Sequence, residues 1–352
     1  MDYRKEIEDL VNLLIKEGAS DLHLSSGRPP VIRVSGNLIP LVKRPTISAA
    51  DMKEYCNIFL TADSKDILQK NKDVDFSYSL THARFRGNTY YRQGELSVAL
   101  RLIPKKIRTL TELNLPPILE SFTRKPQGFF LCVGPIGQGK TTTLATLIEI
   151  INQTRTEHIM TIEDPIEYIF ESKKSMIDQR EIRLDAPTFG HALVAMFRED
   201  IDVCMVGEMR DTETIATAVT AAETGHLIFS TLHTNNAAQT INRIIDSFPP
   251  NQQDQIRIQL AGSMTGIFSQ RLIPRIAGGL VPAYELLINN NAVSNLIREK
   301  RVYEIQTVIE TSSQEGMVDM NRSLAELVRA GEISVENAYM NSVNPKTLER
   351  ML

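Results

Sequence analysis

Gly134, Pro135, Ile136, Gly137, Gln138, Gly139, Lys140 and Thr141 follow one another and fit the pattern G-x-x-x-x-G-K-[ST]. No other stretch restricts this chain so tightly, because the pattern works only after a buried strand and at the start of a helix. Both flanks comply. The apolar run Gly128–Val133 precedes it, and Leu144, Leu147, Ile148 and Ile151 follow at helical spacing. Glycines let the backbone curl so that its N–H groups converge on phosphate oxygens. The helix that follows adds the positive end of its dipole. Lys140 brings a cation for the β- and γ-phosphates, Thr141 a hydroxyl for Mg²⁺, and Thr142 extends the phosphate-binding turn into the helix. ATP with Mg²⁺ is the expected ligand.

The surrounding pattern sets the fold class. From about residue 118 strand-like runs alternate with helices: Gly128–Val133, His158–Ile162, Val203–Val206 and His226–Leu232. Ile215, Ala218, Val219 and Ala222 mark a helix between the last two, with Asp211 as its N-cap and Gly225 just past its end. Such alternation implies a mostly parallel sheet covered by helices, so the class is α/β with an ATPase domain over 118–289. Residues 1–103 read differently. A helix over 5–17, a hairpin about Gly36 and Asn37, a polar helix over 48–70 and strands at 75–79, 83–86, 89–92 and 96–103 predict a small α+β domain with an antiparallel sheet. Three prolines and a basic cluster in 104–117 predict an exposed interdomain linker acting as a hinge. Residues 290–352 read as a helical C-terminal region.

Composition narrows the partners. Lys+Arg is 39 against Asp+Glu 43, a net charge of −4, so nucleic acid is not expected. Cys56, Cys132 and Cys204 form no C-x-x-C pair, which points to buried thiols rather than a local zinc site. The opening residues lack a basic flank before an apolar core, and no apolar run is long enough to span a bilayer. The expectation is a cytoplasmic chain.

Phosphoryl transfer to water needs a metal clamp and a group that orients the water. Two acidic stations end predicted strands, where ligands gather in parallel sheets. Glu163, in Thr161-Ile-Glu163-Asp164, is expected to activate the water. Glu208, two residues beyond Val206, is expected to organise Mg²⁺ together with Thr141. His233 closes the next strand and suits a γ-phosphate sensor. His226, at that strand's start, reads equally well as a structural histidine.

Together these stations resemble the type IV pilus retraction ATPases, within the secretion-type AAA-like ATPases. The likeness rests on Ala19-Ser-Asp-Leu-His-Leu24, Thr161-Ile-Glu-Asp-Pro-Ile-Glu167, Gly207-Glu-Met-Arg-Asp211, Gly225-His-Leu-Ile-Phe-Ser-Thr-Leu-His-Thr-Asn235 and Asn295-Leu-Ile-Arg-Glu299. It implies a PAS-like N-terminal domain, a RecA-like ATPase domain and a homohexameric motor. It also implies a peripheral contact with an inner-membrane pilus platform protein, and a paralogous retraction ATPase as a further partner. Arginines between Arg84 and Arg101, chiefly Arg86 and Arg101, match those that reach a nucleotide in that family. The alternatives are a pilus-assembly or type II secretion-like ATPase, an accessory retraction paralogue and, from another class, a nucleic-acid translocase. The chain departs from the family pattern at Ile136, Gln138, Phe197 and Ile201.

Overall fold

The computed structural model describes residues 2–34, 36–80, 83–103 and 106–352. Pro104 and Lys105, the first two residues of the expected linker, lie outside them. The chain divides into two units, Met1–Lys106 with Pro165–Ile169, and Ile107–Asp164 with Phe170–Leu352.

The first unit is a six-stranded antiparallel sheet. Its strands are β1 (Asp21–Ser25), β2 (Val31–Val34), β3 (Asn37–Pro40), β4 (Asp73–Leu80), β5 (Ala83–Arg92) and β6 (Glu95–Ile103), in the order β3-β2-β1-β6-β5-β4. The spacing of Ile7, Leu10, Val11, Leu14 and Ile15 predicts one buried face; the helix Tyr3–Lys16 buries the first four and leaves Ile15 42% exposed, because it lies at the edge of that stripe. The single polar helix expected over 48–70 is two, Ala49–Phe59 and Ala62–Asn71. The break is local chemistry: the Thr61 hydroxyl accepts from the Ser64 N–H at 3.3 Å and starts a new helix. The separate strands expected at 83–86 and 89–92 are one strand. Gly87 does not interrupt it; a Cβ there would meet the Phe76 ring at 2.2 Å, so the glycine makes room for that ring.

The second unit holds β7 (Gly128–Val133), β8 (His158–Glu163), β9 (Met176–Glu181), β10 (Val203–Val206), β11 (Leu227–Leu232), β12 (Met264–Pro274) and β13 (Leu280–Ile288), ordered β13-β12-β7-β11-β10-β8-β9. All neighbours pair in parallel except β12 with β13. Every residue of β7, β10 and β11 is buried, as a sheet covered on both faces requires. The helix after β7 spans Lys140–Thr154, and that before β11 spans Thr212–Glu223. Asp211 caps the latter by accepting from the Thr214 N–H at 2.8 Å. Cys56, Cys132 and Cys204 are free and buried, as expected.

Part of the stretch expected to be exposed is packed. Leu110 and Leu115 are buried, Thr109 and Glu112 cap one another's backbone, and the Thr146 hydroxyl donates to the Arg108 carbonyl at 2.8 Å. At the C-terminus, Leu324, Ala325, Ile333, Ala338 and Leu348 close over Ile273, Val281 and Ala283 of the β12–β13 hairpin. Among the described residues no helix is long and apolar enough to cross a membrane.

Candidate active site

Strands β7, β11, β10 and β8 are parallel neighbours, so their C-terminal ends open on one edge of the sheet, the edge where such folds bind ligands. Each end delivers one of the expected residues. Gly134 follows β7, His233 follows β11, Glu208 stands two residues past β10, and Glu163 is the last residue of β8.

The loop after β7 has the shape that its glycines imply. Gly137 and Gly139 both have φ of 77°. Gly134, at φ 145°, packs so closely against β12 that a Cβ would lie 2.4 Å from the Gln270 carbonyl oxygen. Gly139 begins the helix Lys140–Thr154 without a side-chain cap among the described residues. A glycine turn that runs into a helix N-terminus in this way suits a phosphate group. Ile136 points outward, 82% exposed, so its departure from the family pattern leaves the cradle unchanged.

Lys140 is buried, and its ammonium donates to the Gly134 and Pro135 carbonyls, each at 2.8 Å, and to His233 Nδ1 at 3.2 Å. An ammonium has no lone pair, so Nδ1 must accept. This fixes the tautomer with the proton on Nε2, which lies 3.7 Å from Glu208 Oε2. Burial and the Lys140 charge lower the His233 pKa, against the pull of Glu208, and favour this neutral form. Glu208 also pairs with Arg210.

Glu163 is 3% exposed. Its Oε1 accepts from the Thr161 hydroxyl at 2.7 Å and from the Gln179 amide at 3.3 Å. Thr161 and Gln179 are register partners on β8 and β9, so the sheet itself holds the carboxylate. Among the described residues no three His, Cys, Asp or Glu side chains cluster as a ready metal site. Mg²⁺ does not need one, because it binds through one or two protein groups plus phosphates and water. Thr141 and Glu208 fit that donor set.

β12 supplies contacts that the sequence reading missed. The Thr143 hydroxyl donates to Gln270 Oε1 at 2.7 Å, Gln270 Nε2 donates to the Gln138 carbonyl at 2.7 Å, and the Leu272 N–H donates to Gln138 Oε1 at 2.6 Å. Gln138, a departure from the family pattern, is thus a brace between the loop and the strand. The run Ser269-Gln270-Arg271 inside an otherwise apolar strand was the available signal. A cleft of about 390 Å³ beside this brace is lined by Pro135, Gln138, Asn235, Arg271 and Asn341.

His226 has a structural place. Its Nδ1 lies 3.1 Å from the Ala221 carbonyl, and its ring meets Phe197 edge-on. Arg86 and Arg101 belong to the first unit, where they are direct cross-strand partners on β5 and β6. Arg101 Nε donates to Asp21 Oδ1 at 2.8 Å, and Arg86 lies 3.5 Å from Glu167. Burial pushes the Asp21 carboxyl up, but the Ser20 hydroxyl and Arg101 outweigh it and hold the pKa below its usual value.

Residues 3–280 match the family described as Type II/IV secretion system protein. The chain belongs to this family. It is 41% identical over 342 residues to the type IV pilus retraction ATPase PilT of Pseudomonas aeruginosa, covering 97% of this chain and 99% of that protein. It is 36% identical over 349 residues to the type IV pilus ATPase PilU of the same organism, covering 99% and 91%. A crystal structure of the pilus retraction motor PilT with bound ADP superposes with a TM-score of 0.91 at 45% identity, covering 97% of this chain and 98% of that one. The resemblance expected from the motifs is borne out. So is the fold class: a small PAS-like α+β domain, then a RecA-like P-loop ATPase domain with a helical C-terminal extension.

Proposed function

We propose that this chain is an ATP-hydrolysing motor that drives type IV pilus retraction and so twitching motility. The observation that carries the reading is the convergence of Lys140, Glu163, Glu208 and His233 on one sheet edge, in a chain 41% identical to a retraction ATPase. The β- and γ-phosphates of ATP take N–H groups from Gly137 to Thr142, and Lys140 exchanges loop carbonyls for phosphate oxygens. The Thr141 hydroxyl and, through water, Glu208 would hold Mg²⁺, which would supply charge neutralisation at the phosphates. Glu163 orients a water and takes its proton as the water oxygen attacks the γ-phosphorus; the ADP oxygen leaves with the bonding pair. Neutral His233, donating from Nε2, answers to the charge lost when the γ-phosphate departs.

The active form in this reading is a homohexamer in which Arg86 and Arg101, of a neighbouring subunit or the same one, add positive charge at the γ-phosphate. It works in the cytoplasm against an inner-membrane platform protein. A second reading, an accessory retraction ATPase acting beside a paralogue, draws on the 36% identity to PilU. The test is gene deletion with complementation in the source cell. Excess pili without twitching, restored by wild type but not by Glu163→Gln, supports the motor. Lost piliation would instead assign assembly. Excess pili that a retraction paralogue alone restores would assign the accessory role.

A further inference from the structure

Only Thr234, Asn235 and Asn236 separate His233 from the helix Ala237–Asp246. Both ends of the segment that follows His233 are tied to the β12–β13 hairpin. The Ser269 hydroxyl donates to the Asn235 carbonyl at 2.9 Å. Glu285 accepts from the Ala237 N–H at 2.8 Å through Oε1. Ser269 and Glu285 are direct cross-strand partners, each 1% exposed, so the two side chains leave the same face of the ladder. The next residue along β12, Gln270, points to the opposite face, where it braces the P-loop through Thr143 and Gln138. One strand therefore touches both loops that meet at the Lys140–His233 contact.

We infer that Ser269 and Glu285 are positioning residues for hydrolysis, holding the 233–237 turn so that His233 stays between Lys140 and Glu208. Burying a carboxyl is unfavourable, so packing alone does not call for one at this place; an apolar side chain would avoid that cost but leave the Ala237 N–H without its acceptor. Burial pushes the Glu285 carboxyl up to about 7; the Ala237 N–H and Arg271 oppose that rise, while Asp319 and Glu310 add to it. What the carboxyl supplies is a fixed acceptor for the first N–H of the helix that follows the His233 turn. Positional errors of about 1 Å near reacting groups cost on the order of a hundredfold in rate.

The inference rests on the proposed ATPase reading, and the experiment separates the two. Full-length wild type, Glu285→Ala, Glu285→Gln and Ser269→Ala are compared for kcat and KM with MgATP and for ADP affinity by calorimetry. Glu285→Ala is also made in a His233→Ala background. The expected result is a fall in kcat of roughly tenfold or more for Glu285→Ala, with ADP affinity within about twofold of wild type. Ser269→Ala falls less, and Glu285→Gln, whose amide oxygen still accepts from Ala237, recovers most of the rate. In the His233→Ala background Glu285→Ala has no further effect, because the two residues act through one path. Should Glu285→Ala not fold, Ser269→Ala carries the same comparison in both backgrounds. Unchanged kcat, or equal losses with and without His233, overturns the inference while a turning-over wild type leaves the ATPase reading standing. A wild type without turnover would overturn that reading instead.

Discussion

The ammonium of Lys140 donates to Nδ1 of His233 across 3.2 Å. The contact joins two loops 93 residues apart in the chain, and it exists only while the imidazole is neutral. Protonating Nδ1 would turn an accepted hydrogen bond into a meeting of two cations.

That gives the first prediction a sign. Burial and Lys140 lower the folded-state pKa of His233 below 6.5. The neutral contact is therefore complete above pH 6.5 and is lost as pH falls through the lower, folded-state value. Hydrolysis by wild type should decline on that acid limb, and His233→Asn, slower throughout, should lack the His-dependent part of the decline. A pH profile of kcat measures it, and superimposable limbs would refute it.

Glu163→Gln should keep the hydrogen bond from Thr161 while losing the base. Removal of a general base costs about 10²- to 10⁴-fold. We expect kcat to fall by about that factor with ADP affinity nearly unchanged, as judged by phosphate release and calorimetry on the same preparation.

Gly134→Ala tests the cradle rather than the chemistry. The added Cβ would lie 2.4 Å from the Gln270 carbonyl, at φ 145°, a region hostile to L side chains. Strain of this kind costs on the order of 1–3 kcal/mol. The expected outcome is weaker ATP binding and a lower melting temperature. Gly137→Ala, where a Cβ meets nothing within 4 Å but φ is 77°, should be milder.

Glu285 sets a dependence of stability on pH. Its carboxyl is raised from 4.5 to about 7, so in that window the folded chain holds a proton that the unfolded chain releases. Stability from this group is full below about pH 4.5 and is lost as pH rises to about 7. Glu285→Gln, which resembles the protonated form, should melt close to wild type at pH 5 and above it at pH 8. Equal differences at both values would contradict this.

Some of this architecture could be read from the residues and some could not. The P-loop, Glu163, Glu208 and His233 were legible because each follows a short apolar run bounded by a change in composition, and parallel sheets gather such ends on one edge. Asp211 and Gly225 were legible as helix boundaries for local reasons. The β12–β13 hairpin was not. Helix Pro250–Ser263 passes directly into Met264 with no connecting residues, so Gly262, which lies inside the helix, does not announce a loop before the strand. β9 was missed because Met176-Ile-Asp-Gln-Arg-Glu181 is a largely polar edge strand with little alternation. The packing of Leu110 and Leu115 was hidden by the prolines around them, which suggested an exposed connector. Ser269, Gln270 and Glu285 were invisible as site residues for the same reason as their strands: their roles arise from cross-strand register, which spacing along the chain does not encode.

The most direct test of the account is steady-state phosphate release by the purified full chain with ATP and Mg²⁺, run beside Lys140→Ala. We predict turnover by wild type and none above background for Lys140→Ala, with both proteins folded by their melting curves. Equal release from the two, or none from either, would contradict the claim that this loop grips a triphosphate for cleavage.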